Sequence, residues 1–218
     1  MTGNFIDLCS QLKNIQDEGE LKSKFKDIAN ELFSNHHIDC CGNIFYFAEV
    51  EFYYYRNNVG NKSNFNAEWN KVAYPRNAHA GELFFHLSGI DICFESDFYE
   101  EWAEFGGILI RSIVDVNCEI IAGPLTCMNY MLNICQKANR TIPAIVENQH
   151  NESRSCCVRP TSLTGIKNEK AQIDNCYFDA SIPREKWSTT IMRYNTTEGK
   201  YKKYNRKYDV SKFEKEWK

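Results

Sequence analysis

The chain has no apolar run long enough to cross a membrane as a helix, and Met1-Thr-Gly-Asn lacks the basic-then-apolar opening of a signal peptide. A cytoplasmic protein without a membrane partner is expected, sited at the nucleoid or in the nucleus if the cell is eukaryotic. There is no C-x-x-C among ten cysteines, and there are five histidines. That combination gives no zinc pattern, and no metal is expected. Cys40-Cys41 and Cys156-Cys157 are adjacent pairs, which in a reducing compartment read as buried small apolar residues or free thiols. No repeat, low-complexity tract or clean interdomain linker divides the chain, so its 218 residues read as one domain, 1–218.

The net charge of −3 is unevenly spread. Residues 184–218 hold 11 Lys and Arg against 5 Asp and Glu, which leaves 15 against 24 in the rest. A basic C-terminal tail, 183–218, invites phosphate contacts. Its tyrosines and Trp217 suit nucleic acid between the cations. A solvated helix or a solubility tail explains the charge nearly as well, and the aromatics equally suit a tail packed on the domain.

What the chain does have is one long aromatic and β-branched run, Gly42 to Arg56, which reads as a strand. Strict alternation would put Ile44, Tyr46, Ala48, Val50, Phe52 and Tyr54 on one face. Phe45, Phe47, Glu49, Glu51, Tyr53 and Tyr55 would take the other. Two carboxylates inside an apolar strand cost several kcal/mol of desolvation (roughly) unless they are paired or open onto a wet cleft. A second charge answers them. Arg111 stands at the centre of the apolar run Gly106–Val114 and calls for a carboxylate partner, Glu51 or Glu49. A structural ion pair and a catalytic carboxylate held by Arg look alike at this level.

Around these strands, apolar spacing near 3.6 predicts helices over 4–16 and 21–34, the latter with Leu21, Phe25, Ile28, Ala29, Leu32 and Phe33 on its buried stripe. His36 and His37 fall in a polar connector and read as solvated. Residues 57–70 read as a long excursion and 74–81 as a turn. Residues 82–96 read as two strands hinged at Ser88-Gly89, 97–104 as a loop. Gly123-Pro124 opens a helix to Asn139 with Leu125, Met128, Met131, Leu132 and Cys135 buried. Residues 140–175 read as loop-rich, with 159–165 leading to a strand, and 176–182 as a last short strand. The organisation expected is N-terminal helices (1–40), a core (42–182) and the basic tail.

Taken in order, the motifs are E-x-E-x-Y on a strand, a P-R-N turn, a Gly-led aromatic hairpin, a G-x-x-x-x-R strand, and Gly-Pro opening a helix. In this order the chain resembles the alkyladenine (3-methyladenine) DNA glycosylase family over residues 44–135, and more loosely to about 182. The resemblance implies an α/β (α+β) single domain on a curved antiparallel sheet flanked by helices, with no cofactor. It implies Glu51 as the water-activating carboxylate, Tyr53 as an aromatic stacked on an extruded base, and Arg111 as the strand Arg holding water and Glu51. Phe85 or His86 falls where the family has its second stacking aromatic. The chain departs from the family pattern where the family has a wedge Tyr, here Ser88, in a hairpin one residue shorter. It departs again at Glu95, at Thr126, and in having no base-contacting His in 54–60.

The expected activity is therefore that of a monofunctional DNA glycosylase acting on a flipped nucleotide in double-stranded DNA, as a monomer. No Lys stands in the site for a lyase step. His86 or His79 is the candidate acid for a neutral leaving base, with Asp91 orienting it and Glu49 in support. Arg76, Arg159, Lys202 and Lys203 are candidate DNA contacts. Three alternatives stand beside this one. They are the same chemistry aimed at modified bases of foreign phage DNA, a catalytically inactive nucleic-acid-binding protein, and a hydrolase of free nucleosides.

Overall fold

The structure, a computed structural model, describes residues 3–13, 15, 17–58, 76–98, 102–138, 142–149, 154, 156–160, 174–183, 186–187, 191–195 and 200–204. The chain forms one α+β domain in which a curled, almost wholly antiparallel sheet is covered by three helices. Its spine is the long pair β2 (Asn43–Asn58) and β6 (Trp102–Asp115), antiparallel from Phe45 against Asp115 to Asn58 against Trp102.

Shorter strands extend each edge of that spine. The start of β2 takes β1 (His36–Cys40), and β1 takes β8 (Ala144–Glu147). The middle of β2 takes β10 (Asp174–Asp179), and β10 takes β9 (Cys156–Pro160). On β6 the first half holds β5 (Asp97–Phe98) and the hairpin of β3 (Leu83–His86) with β4 (Gly89–Cys93). Its end holds β7 (Ile120–Ala122), beside which β11 (Ile191–Asn195) runs parallel and pairs with β12 (Lys200–Tyr204).

The helices α1 (Gly3–Ser10), α2 (Glu18–Asn35) and α3 (Pro124–Lys137) all pack into the main core on one face of the sheet. Asp17 caps α2, its carboxylate accepting from the Glu20 N–H at 2.8 Å. All six residues of the expected α2 stripe are buried. On α3 the stripe is Cys127, Met131 and Cys135, at intervals of four, while Leu125 is 47% exposed. Gly123, with φ of 100°, sets the helix entry; of the five residues expected on the buried stripe, Leu125 is exposed and Met128 and Leu132 are half-buried.

The main departures from simple alternation come from bulges. Ala48 on β2 and Arg111 on β6 have no opposite residue, so the pairing steps out and back around Glu49 and Ser112. An extra residue reverses the parity of a strand. Before the bulge Phe45 and Phe47 face the helices; after it Val50, Phe52 and Tyr54 do, and Ala48 packs in a second cluster with Phe178 and Trp187. The expected single-parity face therefore fails for residues 44–48 and holds for 49–55.

Other expectations are corrected at the strand ends. His36 and His37 are not a solvated connector but the start of β1, whose residues alternate buried and half-buried. His36 is fully buried against Phe5, 5.1 Å between ring centroids, and burial lowers its pKa. The first helix stops at Ser10 rather than 16, strands occupy 97–98 and 102–104 within the expected loop, and β8 and β9 lie within 140–175. Two strands in the basic segment join the sheet, so over 191–195 and 200–204 it is neither a free tail nor a helix. The excursion over 59–70, residues 74–75, and Tyr208 and Trp217 lie outside the described residues.

Candidate active site

The site forms on the sheet face opposite the helices. Because pairing aligns side chains across neighbouring strands, one row runs Cys176, Glu51, Leu109, Asp91, Phe84. Glu51 and Asp91 are thus two strand spacings apart, about 10 Å between Cα atoms, with Leu109 between them. Each carboxylate is held by its own arginine.

At Glu51, fully buried, the Tyr53 hydroxyl donates at 2.5 Å and the Arg111 guanidinium donates through NH1. Arg111 Nε lies 3.4 Å from Glu49 Oε1, an ion-pair approach without hydrogen-bond geometry, and the Ser112 hydroxyl donates to Glu49 at 3.3 Å. The bulges explain this convergence. They turn Arg111 and Ser112 together toward Glu49, where regular pairing would send one of the two to the opposite face. Burial is the strongest influence on the Arg111 charge and opposes it, but Glu51, with Cys176 and Tyr53 beside it, together outweigh burial and raise the pKa. Tyr53 is pushed up by burial and then by the Glu51 charge, so the phenol keeps its proton and acts as a donor. The Arg111 side chain is 20% exposed, whereas those of Glu49 and Glu51 are nearly or fully buried.

At Asp91 the arrangement is tighter. Arg76 NH1 donates at 2.5 Å, and its guanidinium also covers the Phe84 ring at 4.6 Å from the centroid. His86 Nδ1 accepts from the Ser88 N–H at 3.2 Å, so its proton sits on Nε2 and is donated to Asp91 Oδ1, also at 3.2 Å. Room for Arg76 comes from Gly107, where a Cβ would stand 3.0 Å from the guanidinium and 2.9 Å from the Ile92 carbonyl.

The structure therefore brings Glu51, Tyr53, Arg111 and Glu49 into one contact group on β2 and β6, with Asp91 one strand beyond on β4 and His86 on β3 after it. Three expected site residues fall elsewhere. Phe85 lies on the helix face, packed against the main core, because the two-residue turn of the hairpin puts Phe84 and His86 on the site face instead. Arg76 is buried against Asp91 and is no surface cation for DNA. His79 is exposed and paired with Glu95 at 3.1 Å, which raises its pKa, rather than with the site carboxylates. Arg159 pairs with Cys176 through β9, and Lys202 and Lys203 pair with Arg193 and Met192 through β12.

Phe84, Ser112 and Leu87 were not singled out from sequence. Leu87 sits on the turn of the β3–β4 hairpin and is 89% exposed, the most exposed large apolar residue described. Hairpin parity would have found Phe84 once Gly89 was placed opposite His86. Among the described residues no group of three His, Cys, Asp or Glu is set to hold a metal ion, and no helix is long and apolar enough to cross a membrane. Comparison with protein-family models, curated proteins and solved structures gives no match to this chain.

Proposed function

We propose that the chain is a monofunctional DNA glycosylase of alkyladenine glycosylase-like fold. In this reading it takes a damaged or modified nucleotide out of double-stranded DNA and hydrolyses its N-glycosidic bond with a water activated by Glu51. The observation that carries this reading is the Glu51–Tyr53–Arg111 group: a fully buried carboxylate fixed by two donors, beside a guanidinium that still reaches solvent.

In this reading Glu51 takes a proton from the attacking water and opposes the positive charge that builds on the sugar as the base departs. Arg111 and Tyr53 keep the carboxylate in one orientation, which removes reorganisation from the chemical step. Rotating the nucleotide out costs a few kcal/mol (roughly), offset by stacking in the pocket. The exposed Leu87 supports the DNA partner: an apolar side chain on a hairpin turn is the kind of wedge that enters a base step and fills the gap left by the flipped nucleotide.

The test is abasic-site formation. Purified protein and Glu51→Gln are incubated with alkylated, deaminated and naturally hypermodified duplexes, and alkali then reveals strand breaks. Breaks that vanish in the variant support the reading, and the productive substrate separates repair from defence against foreign DNA. A second reading, a nucleic-acid-binding protein without catalysis, is favoured by how completely Glu51 is buried. It is the outcome if DNA is bound and no duplex is cut.

A further inference from the structure

Ten free cysteines distribute over the fold, and three of them meet. Cys40 ends β1 and Cys41 opens the two-residue turn into β2. Cys135 lies in the last turns of α3, on the stripe that faces the sheet. Cys40 and Cys135 are fully buried in the main core, and Cys41 is half-buried at its edge. The Cys41 thiol donates to the Cys135 carbonyl at 3.9 Å, and Cys40 and Cys41 both lie near enough to the Cys135 thiol to influence its titration. Cys41 holds a φ of 58° and Gly42 one of 86°, the backbone of a tight hairpin turn that the Asp39 carboxylate braces by accepting from the Gly42 N–H at 2.6 Å.

We infer that Cys41 and Cys135, with Cys40 in reserve, form an oxidisable clasp that responds to hydroperoxides by joining the β1–β2 turn to helix α3. The half-buried Cys41 is the thiol an oxidant reaches. Its sulfur attacks the peroxide O–O bond, giving the Cys41 sulfenic acid and water from hydrogen peroxide (an alcohol from an organic hydroperoxide). The Cys135 sulfur then attacks the sulfenic sulfur, and the S–O oxygen leaves as a second water with the thiol proton. Two thiols are thereby oxidised by two electrons and one peroxide is reduced. Cys40, the chain neighbour of Cys41 and buried in the same core as Cys135, can then attack the new bond and exchange partners. Burial raises the pKa of Cys40 and of Cys135, which keeps both protonated and slow to meet an oxidant directly.

The clasp is independent of the chemistry proposed for Glu51, yet it sits on the helix that backs that site. At the other end of α3 the Gly123 N–H donates to the Arg111 carbonyl at 2.8 Å, and the Cys127 thiol donates to the same carbonyl at 3.6 Å.

The experiment uses the full chain, and a Cys118→Ser form that removes an exposed competing thiol. Each is treated with a small molar excess of hydrogen peroxide, blocked with N-ethylmaleimide and digested with trypsin without reduction. The expected product joins residues 27–56 to residues 112–137 through Cys135, with the link at Cys41 or, after exchange, at Cys40, and it disappears on reduction. The oxidised chain should melt several degrees higher, since the link closes a long loop. In Cys135→Ala, dimedone should trap Cys41 as its sulfenic acid. The inference is overturned by links that omit Cys135, by Cys41 running on to sulfinic acid in the full chain without a link, or by Cys41 left untouched.

Discussion

Two arginine–carboxylate units share one face of the sheet, separated by Leu109, and they differ in how far water reaches them. The Glu51 unit has its arginine 20% exposed; the Asp91 unit has its arginine 2% exposed, under the Phe84 ring. Each unit also has a thiol close by, Cys176 beside Arg111 and Cys93 beside Arg76. Their residue types are therefore almost the same, and composition does not separate them. Exposure does. A guanidinium open to solvent can meet a water or a phosphate, whereas one sealed between a ring and a backbone braces the structure around it. On the proposed reading, chemistry falls to the Glu51 unit and bracing of the β3–β4 hairpin to the Asp91 unit.

The largest effect should come from breaking the sealed unit. Arg76→Met leaves Asp91 buried with His86 as its remaining partner among the described residues, and removing one member of a buried pair costs about 3–5 kcal/mol. Urea denaturation should show that loss, and Arg76→Met combined with Asp91→Leu should recover most of it, because no uncompensated charge remains. A double variant as unstable as the single one would show that the pair does more than balance charge.

Next comes the open unit. If the proposed reading holds, Arg111→Met should lower the rate of abasic-site formation by roughly 10²–10³-fold, the scale for losing one preorganised donor, whereas Arg76→Met, whose side chain pairs with Asp91, should change that rate far less. Single-turnover cleavage of the productive duplex by both variants checks this. If the two arginines exchange these phenotypes, the division between chemistry and bracing is reversed.

How much of this was legible in the sequence differs residue by residue. The α2 stripe could be read because six apolar residues repeat at helical spacing, and all six are buried. Glu51, Tyr53 and Arg111 could be read as a group because charge inside an apolar strand demands a partner. The bulge at Ala48 could not, since an extra residue leaves no mark in composition, and the faces of residues 44–48 were inverted with it. His36 and His37 hid β1 because their polarity matches a connector, although burial alternates along the strand. Phe84 and Phe85 are chemically equal, and the turn register alone decides which faces the site. The burial of Arg76 depends on Gly107 and Phe84, which are distant in sequence.

Gly107 gives a smaller test of the seal. An alanine Cβ there would press on the Arg76 guanidinium at 3.0 Å and on the Ile92 carbonyl at 2.9 Å. One contact is the end of a side chain that can shift, and the other is backbone that cannot. A cost of about 1–3 kcal/mol is expected, the usual scale of overpacking. A midpoint unchanged by Gly107→Ala would mean that Arg76 is not seated against this glycine.

The smallest effect on stability should be at the hairpin tip that the sealed unit braces. Leu87 is 89% exposed, so Leu87→Ser removes almost no buried area and should leave the urea midpoint within ~0.5 kcal/mol of the parent. Affinity for a duplex bearing an abasic-site analogue should nevertheless fall, because an apolar wedge stabilises the kinked step and a serine does not. Arg76→Met should weaken the same binding indirectly, through a hairpin that no longer holds its tip in place. Titrating the duplex into Leu87→Ser, Arg76→Met and the combination separates the two causes. If the tip acts through the brace, the double variant binds no worse than Leu87→Ser alone. If the losses add, hairpin rigidity and the wedge contribute separately, and the Asp91 unit would then reach the DNA by a route other than Leu87.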